Sequence, residues 1–331
     1  MSAADAELQA LPQALALFER FEAEGLRYSS FKSNEHLLDG LAGLTDLDLL
    51  ADPSQASLAE RLLLESGFKR FNSGFSSRYP TMQDHLGFDP ESGKLIHVHL
   101  HFSLILGAKH EKGHQLPFVG EYLRTSRVDE ATGVRIADPN YEMLLLLVRY
   151  ALKQRWRDYL LRPTRRAGFV GNAAEEFAWL QERLDAEKLG RITTEHLGES
   201  AGALIPELIR EVPSRAQLRR LRRAAAPALR RARTYPKLTA LGLRYGREAI
   251  WWLSGVNKRT LGLPLGMRRT SASGGRVIAI LGPDGSGKST VSAELRKWLA
   301  WKVDVVSIYL GSGDGSTSLL RWPLRATHRS R

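Results

Sequence analysis

The 331-residue chain contains no cysteine, which excludes a disulfide framework and any thiolate metal site. It also lacks an apolar run near the roughly 18 residues that a membrane-spanning helix needs. Its opening residues, Met1-Ser2-Ala3-Ala4-Asp5-Ala6-Glu7, carry acid where a secretion signal carries base. These absences predict a cytoplasmic protein with no transmembrane segment. Acidic residues are scarce in one half only. Residues 1–140 hold 13 Lys and Arg against 20 Asp and Glu, a net of −7, whereas residues 141–331 hold 35 against 16, a net of +19. Such asymmetry predicts separate modules and an anionic partner for the basic one.

What is present includes one specific phosphate-binding motif. Gly282-Pro283-Asp284-Gly285-Ser286-Gly287-Lys288-Ser289-Thr290 satisfies the G-x-x-x-x-G-K-[ST] spacing. Glycines let the backbone turn its N–H groups inward onto phosphate oxygens, and the following helix start adds its positive dipole end. Lys288 would neutralise the outer phosphates, and the Ser289 hydroxyl would ligate their Mg²⁺. The apolar run 277–281 predicts a buried parallel strand ahead of the loop, and Val291, Leu295 and Leu299 predict a helix after it. A second apolar run, 303–310, predicts a strand ending in a Gly/Ser loop with Gly313 and Asp314. Loops at strand carboxyl ends line the ligand crevice of open α/β sheets, which makes this loop a candidate acceptor site.

The N-terminal region predicts a helix within residues 6–25, a short extended run at 28–31, a helix from Ser33 to about Leu41, and a strand carrying Asp46-Leu47-Asp48. Alternation puts Asp46 and Asp48 on one strand face, an arrangement useful chiefly with a cation between them. Farther on, residues 95–102 predict a strand with His97, His99 and His101 on one face. That face reads either as a metal or phosphate site, which would suit a transition metal better than magnesium, or as a hydrogen-bonded polar face.

From Asp138 onward the pattern is helical: a helix capped by Asn140 running to about Leu161, and a second over 173–188. Then Arg210, Arg215, Arg219, Arg220, Arg222, Arg223, Arg230, Arg231 and Arg233 crowd a short stretch. Leu218, Leu221, Ala225 and Leu229 run through it as an apolar stripe. A basic amphipathic helix pair of this kind suits the acidic N-terminal domain, nucleic acid or an anionic membrane surface. Residues 265–275 read as a linker.

Two resemblances follow from these residues. Lys32-Ser33 before a short helix, then Asp46-x-Asp48 on a strand, resembles the core of the nucleotidyltransferase superfamily. That implies triphosphate binding at the turn, Asp46 and Asp48 as Mg²⁺ ligands, and a third carboxylate on a later strand, where residues 95–102 carry histidines instead. The loop 282–290 is similar to that of the thymidylate kinase group, which implies ATP and Mg²⁺ as cofactors. It also implies Lys288 and Asp284 in catalysis, with Asp284 near a nucleotide or phosphorylated small-molecule acceptor. The pairing resembles bacterial proteins found among polysaccharide-biosynthesis genes. Only 43 residues follow Lys288, and no apolar run after Ser289 ends in the Asp that P-loop kinases use for Mg²⁺. The expectation is a kinase domain that is partial or that binds without completing catalysis.

The expected fold class is α/β and α+β multidomain. A nucleotidyltransferase-like domain would span 1–138, a helical Arg-rich region and linker 139–270, and a partial P-loop domain 271–331. The leading expected activity is an ATP-binding phosphotransferase. The alternatives are nucleotidyl transfer in the N-terminal domain and a non-catalytic nucleotide-binding module.

Overall fold

The computed structural model describes residues 8–108, 110–154, 168–169, 172–260 and 269–307. The first part of the chain forms α1 (Pro12–Ala23), β1 (Tyr28–Ser30), α2 (Leu37–Leu41), β2 (Asp46–Ala51), α3 (Ala56–Glu65), β3 (Lys69–Asn72), β4 (Met82–Phe88) and β5 (Leu95–His101). Next come β6 (Leu104–Leu106), β7 (His114–Leu116), α4 (Val119–Arg124), β8 (Arg127–Val128), β9 (Arg135–Ile136) and α5 (Pro139–Lys153). The helical stretch holds α6 (Ala173–Gln181), α7 (Ala186–Leu197), α8 (Glu199–Gly202), α9 (Ile205–Leu208), α10 (Arg215–Ala224) and α11 (Ala226–Arg231). It is followed by α12 (Lys237–Thr260), β10 (Thr270–Ser271) and α13 (Lys288–Ala300). The class is mixed α/β, as expected. Two units result: residues 1–70 with 79–244, and residues 71–78 with 245–331.

Six strands of the first unit run in the order β4-β5-β2-β1-β9-β8. The sheet is mixed, with β2 parallel to β5 and β1 parallel to β9 while the remaining pairs are antiparallel. Alternation assigns Leu47 and Leu49 of β2, with Ile96, Val98 and Leu100 of β5, to one face. The apolar sides of α1 (Leu17, Phe18, Phe21) and α3 (Leu62, Leu63) join them in one core. Phe31 and Leu50 instead enter a second core with α5 and the helices that follow, out to Leu229 of α11. Residues 143–148 of α5 are buried without a break, the mark of a helix covered on every side.

Several helix limits differ from expectation for local reasons. The cap of α5 is Asp138, whose side chain accepts from the Asn140 N–H, while Asn140 Oδ1 accepts from the Asp185 N–H at 2.9 Å. The continuous helix expected over 173–188 is two helices, because the Asp185 side chain caps α7 by accepting from the Lys188 N–H at 3.0 Å. Residues 155–161 lie outside the described residues.

In the second unit, α13 begins at Lys288 as expected. The strand expected before it does not form. Residues 274–283 have no regular structure, and Val277 and Leu281 are 98% and 89% exposed. An apolar run becomes a strand only when a neighbour takes its N–H and C=O groups, and no described residue pairs with this one. Residues 303–307 form no strand either, and the acceptor loop with Gly313 and Asp314 lies outside the described residues. Among the described residues, no helix is long and apolar enough to cross a membrane.

Candidate functional site

The parallel register of β2 on β5 builds the site. It places Asp46 opposite His97 and Asp48 opposite His99, and the pleat sends all four side chains to one face. Antiparallel pairing of β4 on β5 sets Asp84 opposite His99 on that same face. Asp84 thus adds a further carboxylate to the face that carries Asp46 and Asp48. The strand β5, where the resemblance would place a carboxylate, carries histidines, and this acid reaches the face from β4.

Each imidazole bridges two acids. His97 Nδ1 lies 2.8 Å from Asp46 Oδ1 and its Nε2 lies 2.9 Å from Asp84 Oδ1. His99 Nε2 lies 3.1 Å from Asp84 Oδ1 and its Nδ1 3.3 Å from Asp48 Oδ1. The result is a continuous chain, Asp46–His97–Asp84–His99–Asp48. A ring placed so either donates from both nitrogens or meets a protonated carboxyl. Burial alone would lower the His99 imidazole, but its hydrogen bonds to Asp48 and Asp84 outweigh that and raise it. Burial alone would raise Asp48, but the Lys32 charge and the neighbouring imidazoles of His101 and His99 hold it well below the carboxylate range. His101 does not join this chain as an equal. Burial pushes it down to about 3 despite Asp48 Oδ1 at 3.6 Å.

Asp46 and Asp48 open into a cleft of about 360 Å³ lined also by Lys32, Ser33, Arg149 and Lys153. Lys32 Nζ lies 3.0 Å from Asp48 Oδ1. Ser33 holds a left-handed backbone, φ 57°, at the entry to a 3₁₀ turn, and its side chain makes no cap hydrogen bond. Burial, then the neighbouring charges of Arg149 and Lys32, push Lys153 down to about 8. Cations crowded in this way are stabilised by an anion between them. The sequence pattern singled out Asp46, Asp48, Lys32 and Ser33, and the structure brings them together. It missed Asp84, Arg149 and Lys153. Lys153 ends the apolar helix α5, but no spacing rule connects it with a strand a hundred residues earlier.

The glycine loop of the second unit has its own geometry. Gly285 and Gly287 take φ of 80° and 79°, a conformation L side chains resist. A Cβ on Gly282 would stand 2.7 Å from Ser286 Oγ. Lys288 folds back, donating from Nζ to the Gly282 carbonyl at 2.8 Å and to the Pro283 carbonyl at 2.5 Å. Asp284 Oδ1 lies 3.8 Å from Lys288 Nζ and its side chain is fully exposed.

The arginine-rich pair α10–α11 spends its apolar stripe inside the first unit, where Leu218, Leu221, Ala225 and Leu229 are core residues. The stripe therefore cannot insert into lipid. Comparison with protein-family models, with curated proteins and with solved structures finds no match for the chain.

Proposed function

We propose that the cleft of the first unit transfers a nucleotidyl group from a nucleoside triphosphate such as ATP to a small-molecule acceptor, with Mg²⁺. The observation that carries this reading is the β2–β5 register. It sets the Asp46–Asp48 face of β2 beside His97 and His99 of β5, at a cleft that also presents Lys32, Arg149 and Lys153. An acceptor oxygen would attack the α-phosphorus while the bond to the α–β bridging oxygen breaks and pyrophosphate leaves. Asp46 and Asp48 fit a hard cation, since both are carboxylates lining the cleft. Bound there, Mg²⁺ supplies charge neutralisation at the reacting phosphate. Asp84, through His97 and His99, would fix the orientation of both ligands, as outer partners of metal ligands do. Lys32, Arg149 and Lys153 would receive the departing pyrophosphate.

The test is transfer of label from α-labelled ATP. Asp46→Asn should lower it by about 10²–10³-fold, the usual cost of losing one key charge-stabilising group. Undiminished transfer in that variant would end the proposal.

A second reading concerns the glycine loop, favoured by the backfolded Lys288 and the left-handed Gly285 and Gly287. In it, residues 282–290 bind the phosphates of ATP, with Ser289 toward the Mg²⁺. Phosphoryl transfer by Lys288 and Asp284 would need acidic Mg²⁺ ligands beside the loop, and Asp284 lies 3.8 Å from Lys288 Nζ. Calorimetric titration with ATP–Mg²⁺ separates the two readings. Lys288→Ala should remove one binding event, and Lys32→Ala with Arg149→Ala the other.

A further inference from the structure

A second group of acids lies in the first unit, outside the Asp–His chain. Glu35 comes from the 3₁₀ turn after Ser33, Glu142 from the first turn of α5 and Glu176 from α6. One carboxylate oxygen from each lies within 4.8 Å of those of the other two. Glu35 and Glu176 line the same cleft as Asp46 and Asp48.

Hydrogen bonds satisfy only part of this group. Glu142 is well served, accepting from the Asn34 side-chain amide at 2.7 Å and from the Asn34 N–H at 3.2 Å. Arg149 pairs with Glu176 Oε2. Glu35 Oε2 and Glu176 Oε1 are buried with no hydrogen-bond partner. Their side chains are only 6% and 4% exposed, and Glu35 Oε1 approaches His36 Nε2 no closer than 3.8 Å. Fully ionised, three carboxylates would face one guanidinium, short of positive charge. Burial, then the charge of Glu176, raises both Glu142 and Glu35, to about 8 and about 7. A buried carboxylate oxygen without a donor is costly, and a cation removes that cost for several oxygens at once.

We propose that Glu35, Glu142 and Glu176 form a divalent-cation site separate from Asp46 and Asp48. An all-carboxylate donor set selects a hard ion such as Mg²⁺, Mn²⁺ or Ca²⁺. Because the two unpartnered oxygens are closed to solvent, a bare or partly hydrated ion fits where an organic ammonium does not. The site anchors the loop after Ser33 to α5 and α6, and so holds one wall of the cleft.

Mn²⁺ binding to the full chain tests this, read by electron paramagnetic resonance. The Asp46→Asn/Asp48→Asn variant should keep one Mn²⁺ per chain, and adding Glu35→Gln and Glu176→Gln should abolish it. No Mn²⁺ bound to the Asp variant, or binding that survives both Gln changes, overturns the site. Should the fourfold variant fail to fold, the Asp variant alone decides by melting. Mn²⁺ raises its Tm if the site exists, and an unchanged Tm overturns it. Both readouts are independent of nucleotidyl transfer, whose own failure would appear only in the labelled-ATP assay.

Discussion

Ser33 in the first unit and Gly287 in the second both turn the backbone left-handed just before a helical turn, with φ of 57° and 79°. Their foundations differ. Beneath Ser33 stand β1 and β2, where Ser29, Ser30, Leu49 and Leu50 are all at most 3% exposed. Ahead of Gly287 runs an apolar segment whose Val277 and Leu281 are almost fully exposed. Preorganised charge stabilises a reaction only when its supports cannot relax. The weaker sequence motif therefore has the stronger structural case for chemistry, and the more specific motif has the case for binding alone.

The sharpest break of this contrast is a paired substitution. Asp48→Asn should lower label transfer from α-labelled ATP by about 10²–10³-fold, whereas Ser289→Ala should leave it unchanged. Equal losses in the two would move the chemistry to the second unit.

Stability gives the next largest separation. Leu100 of β5 is fully buried in the core that the sheet shares with α1 and α3, so Leu100→Ala should cost about 2–5 kcal/mol in urea unfolding. Leu281→Ala, at 89% exposure, should stay within about 0.5 kcal/mol. A loss at Leu281 as large as at Leu100 would show that the run is buried in solution.

The same contrast explains what could be read from the sequence. Alternation in β2 and β5 is a local property, so Asp46 and Asp48, and the three histidines, were legible as shared faces. Asp84 was not, because which strand lies beside β5 depends on antiparallel pairing across residues 82–101, and Met82-Gln83-Asp84-His85 shows no clean alternation. The break at Asp185 had a readable signal, an Asp three residues ahead of Lys188 whose side chain could cap a new helix. The strand expected at 277–281 failed for the opposite reason. β-branched residues state a preference, but the hydrogen-bond partner that realises it is not encoded in the run itself.

Proton linkage probes the first unit where the arginine pair meets it. The Gln115 N–H donates to the Ala232 carbonyl at 2.7 Å, and burial, then the charges of Arg233 and Arg222, push the neighbouring His114 down to about 4. Unfolded, this imidazole titrates near 6.5. Below that value the unfolded chain binds a proton that the folded chain refuses, so this residue's contribution to stability is complete above pH 6.5 and falls as the pH drops toward 4. The loss should be on the order of 2 kcal/mol after allowance for solvent screening. Urea midpoints across this range should show it, and His114→Gln should remove this share of the slope, leaving that of His85 and His101, which burial also holds down, to about 4 and about 3. An unchanged slope in that variant would place the protonation elsewhere.

The smallest effect returns to the two turns. A serine held left-handed costs roughly 1–2 kcal/mol against an ordinary backbone, and the Ser33 hydroxyl offsets none of it through a cap. Ser33→Gly removes that strain but loosens the unfolded chain by roughly 0.5–1 kcal/mol, so the net gain should be about 1 kcal/mol or less. Ser33→Ala keeps the strain and should leave the urea midpoint unchanged. Label transfer then decides why a serine stands there. A fall in both variants assigns the hydroxyl to the phosphates, and a fall in neither leaves the residue a strained turn with no part in the reaction.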